Sequence, residues 1–344
     1  MHTLLRKEVF FTIRRRYRRR LSREGVVVVG IIIFVLVIII FPALFAKKQP
    51  ADSPEDLVPE IEFSITSMKG GSDEVCVWLD GTLKDMPLDE YVVGVVAAEM
   101  PASFESEALK AQAVAARTYT LYKKNHGGCS AHSGADICSD STHCQAYMTA
   151  DEMAAAWGAD TKTNLEKIMS AVQETSGEMI YYEGEQIQVF FHASSGGRTE
   201  NSENVYSKAL PYLVSVESSG EENSSHYYGE VTVSRDDFIR RMKAFSASIS
   251  FDKQKLIGDI VRFESGRVQS IEVGNETFTG REIREIFGLN STNFTINADQ
   301  DITFSTIGFG HGVGMSQTGA NAMAKEGYNY IDILMHYFRG VTVQ

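Results

Sequence analysis

Leu88-Asp-Glu-Tyr-Val-Val-Gly-Val-Val-Ala-Ala-Glu99-Met-Pro101 is apolar on nearly every side for three helical turns. The run predicts a helix from about Leu88 to Met100, stopped by Pro101. A helix apolar all round is a buried helix. Glu99 falls in its last turn, where the helix end carries partial negative charge. A carboxyl held there beside apolar walls is expected to have a raised pKa, as a general acid near neutral pH requires. The competing reading is an exposed helix-end residue without chemical consequence, and spacing alone does not separate the two.

A second helix is expected over about Glu105–Lys124, opened by Ser103 and rich in Ala, Leu, Gln and Lys. Its alanines permit close packing against a neighbour. Lys110 and Arg117 are seven residues apart and share a face. Near Glu99 they would order the carboxyl or bind substrate hydroxyls; otherwise they form a solvated charged stripe. Residues 125–146 lack either period and read as an ordered loop, and 150–175 carry a helical pattern. Strands are expected at Ile61–Thr66, Val75–Leu79, Met179–Tyr182, Ile187–Phe191 and Val268–Val273. Further helices are expected at Phe238–Phe245, Arg281–Phe287, about 316–326 and Ile331–Phe338. Helices and strands come in separated groups, which predicts an α+β fold, here a two-lobed one with a substrate cleft.

The N-terminus differs in kind. Nine Arg and Lys crowd the first 25 residues, and Val26–Ala46 follows without a charge. That run is long enough to cross a hydrocarbon core of about 30 Å and longer than the apolar stretch of a cleavable signal, about 7–15 residues. The expected organisation is a basic cytoplasmic N-terminus at 1–25, a single transmembrane helix at 26–46, a linker at 47–59 and an extracytoplasmic domain at 60–344. Residues 1–48 hold 11 Lys+Arg and two Glu, which leaves 22 basic against 43 acidic residues beyond them, a net −21. So acidic a domain argues against nucleic acid as a partner, which would need its phosphates neutralised by Lys and Arg.

Cys129-Ser-Ala-His132-Ser-Gly-Ala-Asp-Ile-Cys138-Ser-Asp-Ser-Thr-His143-Cys144 packs Cys and His into a polar loop. Two Cys and two His would make a closed tetrahedral zinc site and pin a loop that has no core of its own. A Cys138–Cys144 disulfide with bystander histidines is the alternative in an oxidising exterior. No HExxH is present, which argues against catalytic zinc. His192-Ala-Ser194-Ser195-Gly196-Gly197-Arg198 ends a strand in a tight turn. Its serines invite a serine-hydrolase reading, but there is no G-x-S-x-G elbow, and a substrate-binding loop is as economical. Gly308-Phe-Gly-His311-Gly-Val-Gly314 has alternate glycines for close backbone approach but not the spacing of a dinucleotide or phosphate loop. His311 there either binds ligand or packs.

Taken together, Glu90-Tyr-Val-Val-Gly-Val-Val-Ala-Ala-Glu-Met-Pro, Leu109-Lys-Ala-Gln-Ala-Val-Ala-Ala-Arg-Thr-Tyr, Cys144-Gln-Ala-Tyr, Ser194-Ser-Gly-Gly-Arg-Thr-Glu and Gly308-Phe-Gly-His-Gly-Val-Gly-Met-Ser-Gln resemble the stage II sporulation protein D family of spore-forming bacteria. The resemblance implies a membrane-anchored lytic transglycosylase that cuts peptidoglycan glycan strands during engulfment of the forespore, with Glu99 as its catalytic residue. It implies a membrane-bound amidase/endopeptidase partner that strips stem peptides, and a structural zinc on His132, Cys138, His143 and Cys144. Lys110, Arg117, Ser194, Ser195, Gly196, Gly197 and His311 are the expected substrate-binding residues. A single carboxyl suffices if the sugar's own C6 hydroxyl traps the oxocarbenium centre, so the second carboxylate of ordinary glycosidases is dispensable. Two other classes share the pattern: a non-catalytic glycan-binding activator of an amidase, and a zinc-dependent wall hydrolase.

Overall fold

Asp80 and Gly81 both have positive φ, 52° and 78°, the geometry of a two-residue hairpin turn. They join β1 (Glu74–Leu79) to β2 (Thr82–Pro87) in an antiparallel pair. A computed structural model describes residues 73–206, 208–225, 227–251 and 256–344. After the hairpin come α1 (Leu88–Glu99) and α2 (Ser106–Asn125), then β3 (Ile137–Cys138), which pairs with β1 in parallel. The helical stretch expected over 150–175 is two helices, α3 (Ala150–Trp157) and α4 (Thr161–Glu174), parted at Gly158, whose φ of 53° no continuing helix tolerates. Five short strands follow: β4 (Ile180–Tyr182), β5 (Glu185–Gln186), β6 (Phe191–His192), β7 (Gly197–Arg198) and β8 (Glu217–Ser218).

The chain then builds a second core. It adds β9 (Tyr228–Val233), α5 (Arg235–Phe245), β10 (Ile257–Arg262), β11 (Val268–Val273), β12 (Glu276–Thr279), α6 (Gly280–Phe287), β13 (Phe294–Asn297) and β14 (Ile302–Ile307). Two antiparallel sheets result, ordered β10-β11-β12 and β13-β14-β9. Phe238, Phe287, Phe294 and Phe304 stack between them and the helices. The chain returns to the first core through β15 (Met315–Ser316), which lies parallel to β6, then α7 (Gln317–Lys325), α8 (Tyr330–Tyr337) and β16 (Val341–Val343).

The first core is organised around α1. Its residues from Tyr91 to Ala97 are all buried, as its all-round apolarity requires. Gly94 admits the loop that crosses it: a Cβ there would lie 2.2 Å from the Tyr147 ring. Met100 leaves the helix at φ −125° and ψ 139°, because a residue before proline is driven out of the α region. Glu99 is therefore the last helical residue. Asp89 and Arg117 are buried together and tie α1 to α2: Asp89 Oδ1 accepts from Arg117 Nε at 3.1 Å and Nη2 at 2.9 Å. Ser176 donates to Asp89 Oδ2, and Arg117 also donates to the Val172 and Glu178 carbonyls.

The mixed α+β class and two separate cores are present. The membrane-spanning helix expected before them is corrected: among the described residues no helix is long and apolar enough to cross a membrane. The single-pass placement rested on that helix and has no helix behind it among the described residues. Residues 26–46, on which that expectation fell, lie outside the described residues, as do 1–25, 47–59 and the strand expected at Ile61–Thr66. The strand expected at Ile187–Phe191 forms ladder bonds only from Phe191, because its partner β15 is two residues long.

The Asp89–Arg117 pair yields a stability prediction. Arg117→Met leaves a buried carboxylate uncompensated and should cost about 3–5 kcal/mol, read as a lowered denaturant midpoint. Adding Asp89→Asn should restore much of it. An unchanged midpoint in the single variant would show that the pair does not hold the two helices together.

Candidate functional site

Glu99 ends α1 half-buried, with one donor on each carboxyl oxygen. The Ala146 backbone N–H donates to Oε1 at 2.9 Å, and the Gln317 side-chain amide donates to Oε2 at 3.1 Å. Burial raises the Glu99 pKa, and the two donors pull it only part of the way back. No cation pairs with it among the described residues. Gln317, at the start of α7, is steadied by a second bond at 3.4 Å to Gln112 Oε1 on α2. The carboxyl thus draws donors from the loop after Cys144 and from the glycine-rich return to the first core.

Ala146 is fixed by its neighbours. Gln145 is buried and donates to Thr120 Oγ1 at 3.0 Å, while Tyr147 stacks on Tyr91 with ring centres 5.5 Å apart. One residue earlier, Cys144 belongs to a cluster with Cys129, Cys138 and His143, whose donor atoms lie within 4.8 Å of one another. His143 Nδ1 stands 3.5 Å from Cys129 Sγ, 3.6 Å from Cys138 Sγ and 3.3 Å from Cys144 Sγ. Tetrahedral zinc with Zn–S near 2.3 Å and Zn–N near 2.0 Å separates such ligands by about 3.6 Å, so this donor set fits. Ser130 Oγ lies 3.1 Å from His143 Nε2; in the tautomer with the proton on Nε2 it accepts that N–H, which leaves Nδ1 for a metal. All four cysteines of the chain are free thiols, so the fold does not show the alternative disulfide. Burial pushes the Cys144 thiol up to about 12 and raises that of Cys138; a bound dication would reverse this.

The cluster differs from the expected ligand set at one position. His132 is outside the cluster, its ring stacked on Trp78 at 4.7 Å, and Cys129 takes the fourth place. The loop from Cys129 to Ala135 closes on itself through the Cys129 N–H to Ala135 carbonyl bond of 2.9 Å. That turn presents the Cys129 sulfur inward and leaves His132 against the indole.

The other expected residues are scattered. Lys110 pairs with Glu107 and Glu174, each at 2.8 Å, and Arg117 with Asp89; neither bonds to Glu99. The Ser194 and Ser195 side chains are buried, and their hydroxyls donate to the Glu221 carboxylate at 2.5 and 2.7 Å. Glu221, which sequence reasoning passed over, also accepts from Thr318 and Ser218, the Ser195 N–H and, at longer range, the Gly196 N–H. Gly197 donates to Ser195 Oγ. With both hydroxyls bonded to a carboxylate and no histidine on either, the loop has no serine nucleophile. His192 is buried with Nδ1 on the Val313 carbonyl. His311 bonds the Phe191 carbonyl through Nε2 at 3.1 Å, and burial lowers its pKa to about 4. It lines a cavity of about 760 Å³ that Glu99 does not line.

The metal cluster generates a direct test. Purified protein should carry one zinc by elemental analysis; Cys129→Ser should lose it and lower the melting temperature, because a closed site couples binding to folding. His132→Ala should keep the metal. The reverse pattern would restore His132 as the ligand.

Residues 81–182 match the family model described as Stage II sporulation protein. The chain is 38% identical over 264 residues to stage II sporulation protein D of Bacillus subtilis (strain 168), spanning 76% of each. It is 35% identical over 301 residues to stage II sporulation protein D of Bacillus amyloliquefaciens, spanning 86% of each. An amidase enhancer of Bacillus subtilis (strain 168) is 28% identical over 304 residues, 73% of this chain and 40% of that protein. With this identity spread over both cores, the chain belongs to the stage II sporulation protein D family, a family of sporulation proteins.

Proposed function

We propose that the chain is a lytic transglycosylase of peptidoglycan, with Glu99 as its only acid/base. The observation that carries this reading is a half-buried carboxyl whose pKa burial has raised and whose two oxygens are each oriented by one neutral donor. In its acid form Glu99 gives its proton to the oxygen between MurNAc C1 and GlcNAc C4 as the C1–O bond breaks. The MurNAc C6 hydroxyl then closes on C1, and its proton returns to the carboxylate. A 1,6-anhydro ring forms, the GlcNAc end gains a hydroxyl, and no water is consumed. Glu90 is nine residues earlier on the same helix, half a turn out of phase and about 14 Å away along the axis. Conventional glycosidases place their two carboxyls about 5–9.5 Å apart, so Glu90 is unsuited to that pairing.

The four-donor set supports a structural role for a metal. Four protein ligands leave no open position for a reacting group, and Cys129, Cys138, His143 and Cys144 would instead hold the loop that aims Ala146. We extend the reading to action on peptide-stripped strands in concert with a wall amidase, which the amidase enhancer among the relatives supports.

The chain incubated with peptide-free glycan strands should release products ending in 1,6-anhydroMurNAc, identified by mass spectrometry. Reducing ends would indicate hydrolysis, and an absence of products would favour an amidase activator; either ends this proposal. Glu99→Gln should lower turnover by about 100- to 10,000-fold or more, since it removes both proton transfers, and Glu90→Gln should change little.

The pH profile follows from the direction of the Glu99 shift. The first step needs the acid form, so kcat/KM falls as pH rises through the Glu99 pKa, above the ordinary carboxyl value of about 4.3. Gln317→Leu removes a donor that favours the carboxylate, which should move the alkaline limb further up. A limb that stays in place would mean that Gln317 does not act on Glu99.

A further inference from the structure

The cavity of about 760 Å³ lies between the two cores. Glu200, Asn204, Tyr206 and His311 line it from the first, and Arg267 and Arg284 from the second. Such a volume suits a small-molecule ligand. Most of its polar groups are already engaged. Glu200 accepts from the Asn201 N–H and the Asn204 amide through Oε1 and from Ser265 through Oε2. Arg267 is buried, with Nη1 on Ser291 Oγ at 3.1 Å and Nη2 on the Ser195 carbonyl at 2.8 Å. Arg281 pairs with Glu285 at 3.0 Å. His311 uses both ring nitrogens on backbone groups.

Arg267 Nε is buried without a partner, and Arg284 leaves more of its donors open. Its Nε donates to the Leu289 carbonyl at 3.1 Å. Its two Nη groups have no hydrogen bond or ion pair among the described residues, although the side chain is half-buried. We propose that this cavity binds a carboxylate carried by a small wall saccharide or peptide, anchored on the free edge of the Arg284 guanidinium. A guanidinium edge with both Nη groups open matches a carboxylate with two parallel bonds. Three arginines against Glu200 and Glu285, with His311 neutral, leave one net positive charge on the lining. That balances a carboxylate better than a phosphate, which carries about −1.5 to −2. Tyr206, Phe263 and Phe309 supply apolar wall for the rest of the ligand.

The choice of wall fragments as ligands rests on the proposed function. Two fragments present the required group: the lactyl carboxylate of a peptide-free MurNAc and the C-terminus of a stem peptide. The probes are N-acetylmuramic acid, D-alanyl-D-alanine, and N-acetylglucosamine as the ring without a carboxylate, titrated by calorimetry into the Glu99→Gln chain so that no turnover intervenes. One carboxylated probe should bind and N-acetylglucosamine should not, and which of the two binds names the source. Arg284→Gln should weaken that binding about 10- to 100-fold, with its melting curve as the folding check. Equal binding of N-acetylmuramic acid and N-acetylglucosamine, binding of no probe, or a folded Arg284→Gln variant of unchanged affinity would overturn the site. The probe comparison on the parent side chain at 284 decides the matter even if the variant fails to fold. Glycan strands left uncut would sink the transglycosylase reading and leave this binding result standing.

Discussion

A single carboxyl with one donor on each oxygen is the constraint around which the first core is arranged. The Ala146 N–H and the Gln317 amide come from segments 47 and 218 residues away from Glu99 along the chain. To the acid form each bond contributes only about 0.5–1.5 kcal/mol, and to the carboxylate about 1.5–3 kcal/mol. Their value is geometric, because together they fix the plane of the carboxyl. Each donor must be delivered by a segment that is itself held in place. For Ala146 the hold is Tyr147 lying on Gly94 and Gln145 buried against Thr120. For Gln317 it is the parallel pairing of β15 with β6 and the bond to Gln112.

Glu221 performs the corresponding task one layer further out. Its carboxylate gathers Ser194, Ser195, Ser218 and Thr318 from three separate segments, and Ser218 passes the network on to Tyr337. A buried carboxylate without a cation is tolerable only when hydrogen bonds replace its lost hydration, and here they do. The second core is joined to this network by Arg267, which reaches the Ser195 carbonyl. A Cβ on Gly312 would lie 2.4 Å from its guanidinium carbon. Gly312 thus makes room for an arginine from the other core, while Gly308, Gly310 and Gly314 lie close against Ser194–Gly196, His192 and Phe190, which explains their small size without a bound phosphate.

What the sequence makes legible is whatever repeats or is locally determined. The buried helix ending at Glu99 is readable because apolarity and Pro101 are properties of one short window. The Cys/His loop is readable as a ligand-rich segment for the same reason. The choice of Cys129 over His132 is not, because a loop without period does not tell which of two nearby side chains turns inward, and here Trp78 on β1 captures the imidazole. Ser194 and Ser195 look like site residues because hydroxyls beside glycines suit ligands. Their actual partner, Glu221, lies in a stretch with no pattern to mark it. Lys110 and Arg117 do share a face of α2, but periodicity does not say what that face meets, and it meets Asp89, Glu107 and Glu174. Gln112 and Gln317 carry no charge or metal affinity that would single them out.

The two demands on Glu99 pull in opposite directions, and the fold resolves them by choosing neutral donors. Orientation needs hydrogen bonds to both oxygens, yet every donor favours the ionised form and lowers the pKa. A lysine or arginine in place of Gln317 would orient the carboxyl as well, but an opposite charge within hydrogen-bond distance lowers a carboxyl pKa by about 1–3 units and would oppose the effect of burial. A backbone N–H and a side-chain amide supply direction without a full charge. The first two cations after Glu99 in the chain are spent elsewhere: Lys110 on two glutamates and Arg117 on Asp89. Those ion pairs look incidental to the chemistry when taken one at a time. Their common consequence is that α2, which carries both, meets the Glu99–Gln317 pair through a hydrogen bond accepted by the neutral Gln112 and not through a cation, so the rise that burial gives the Glu99 pKa is not offset by an ion pair.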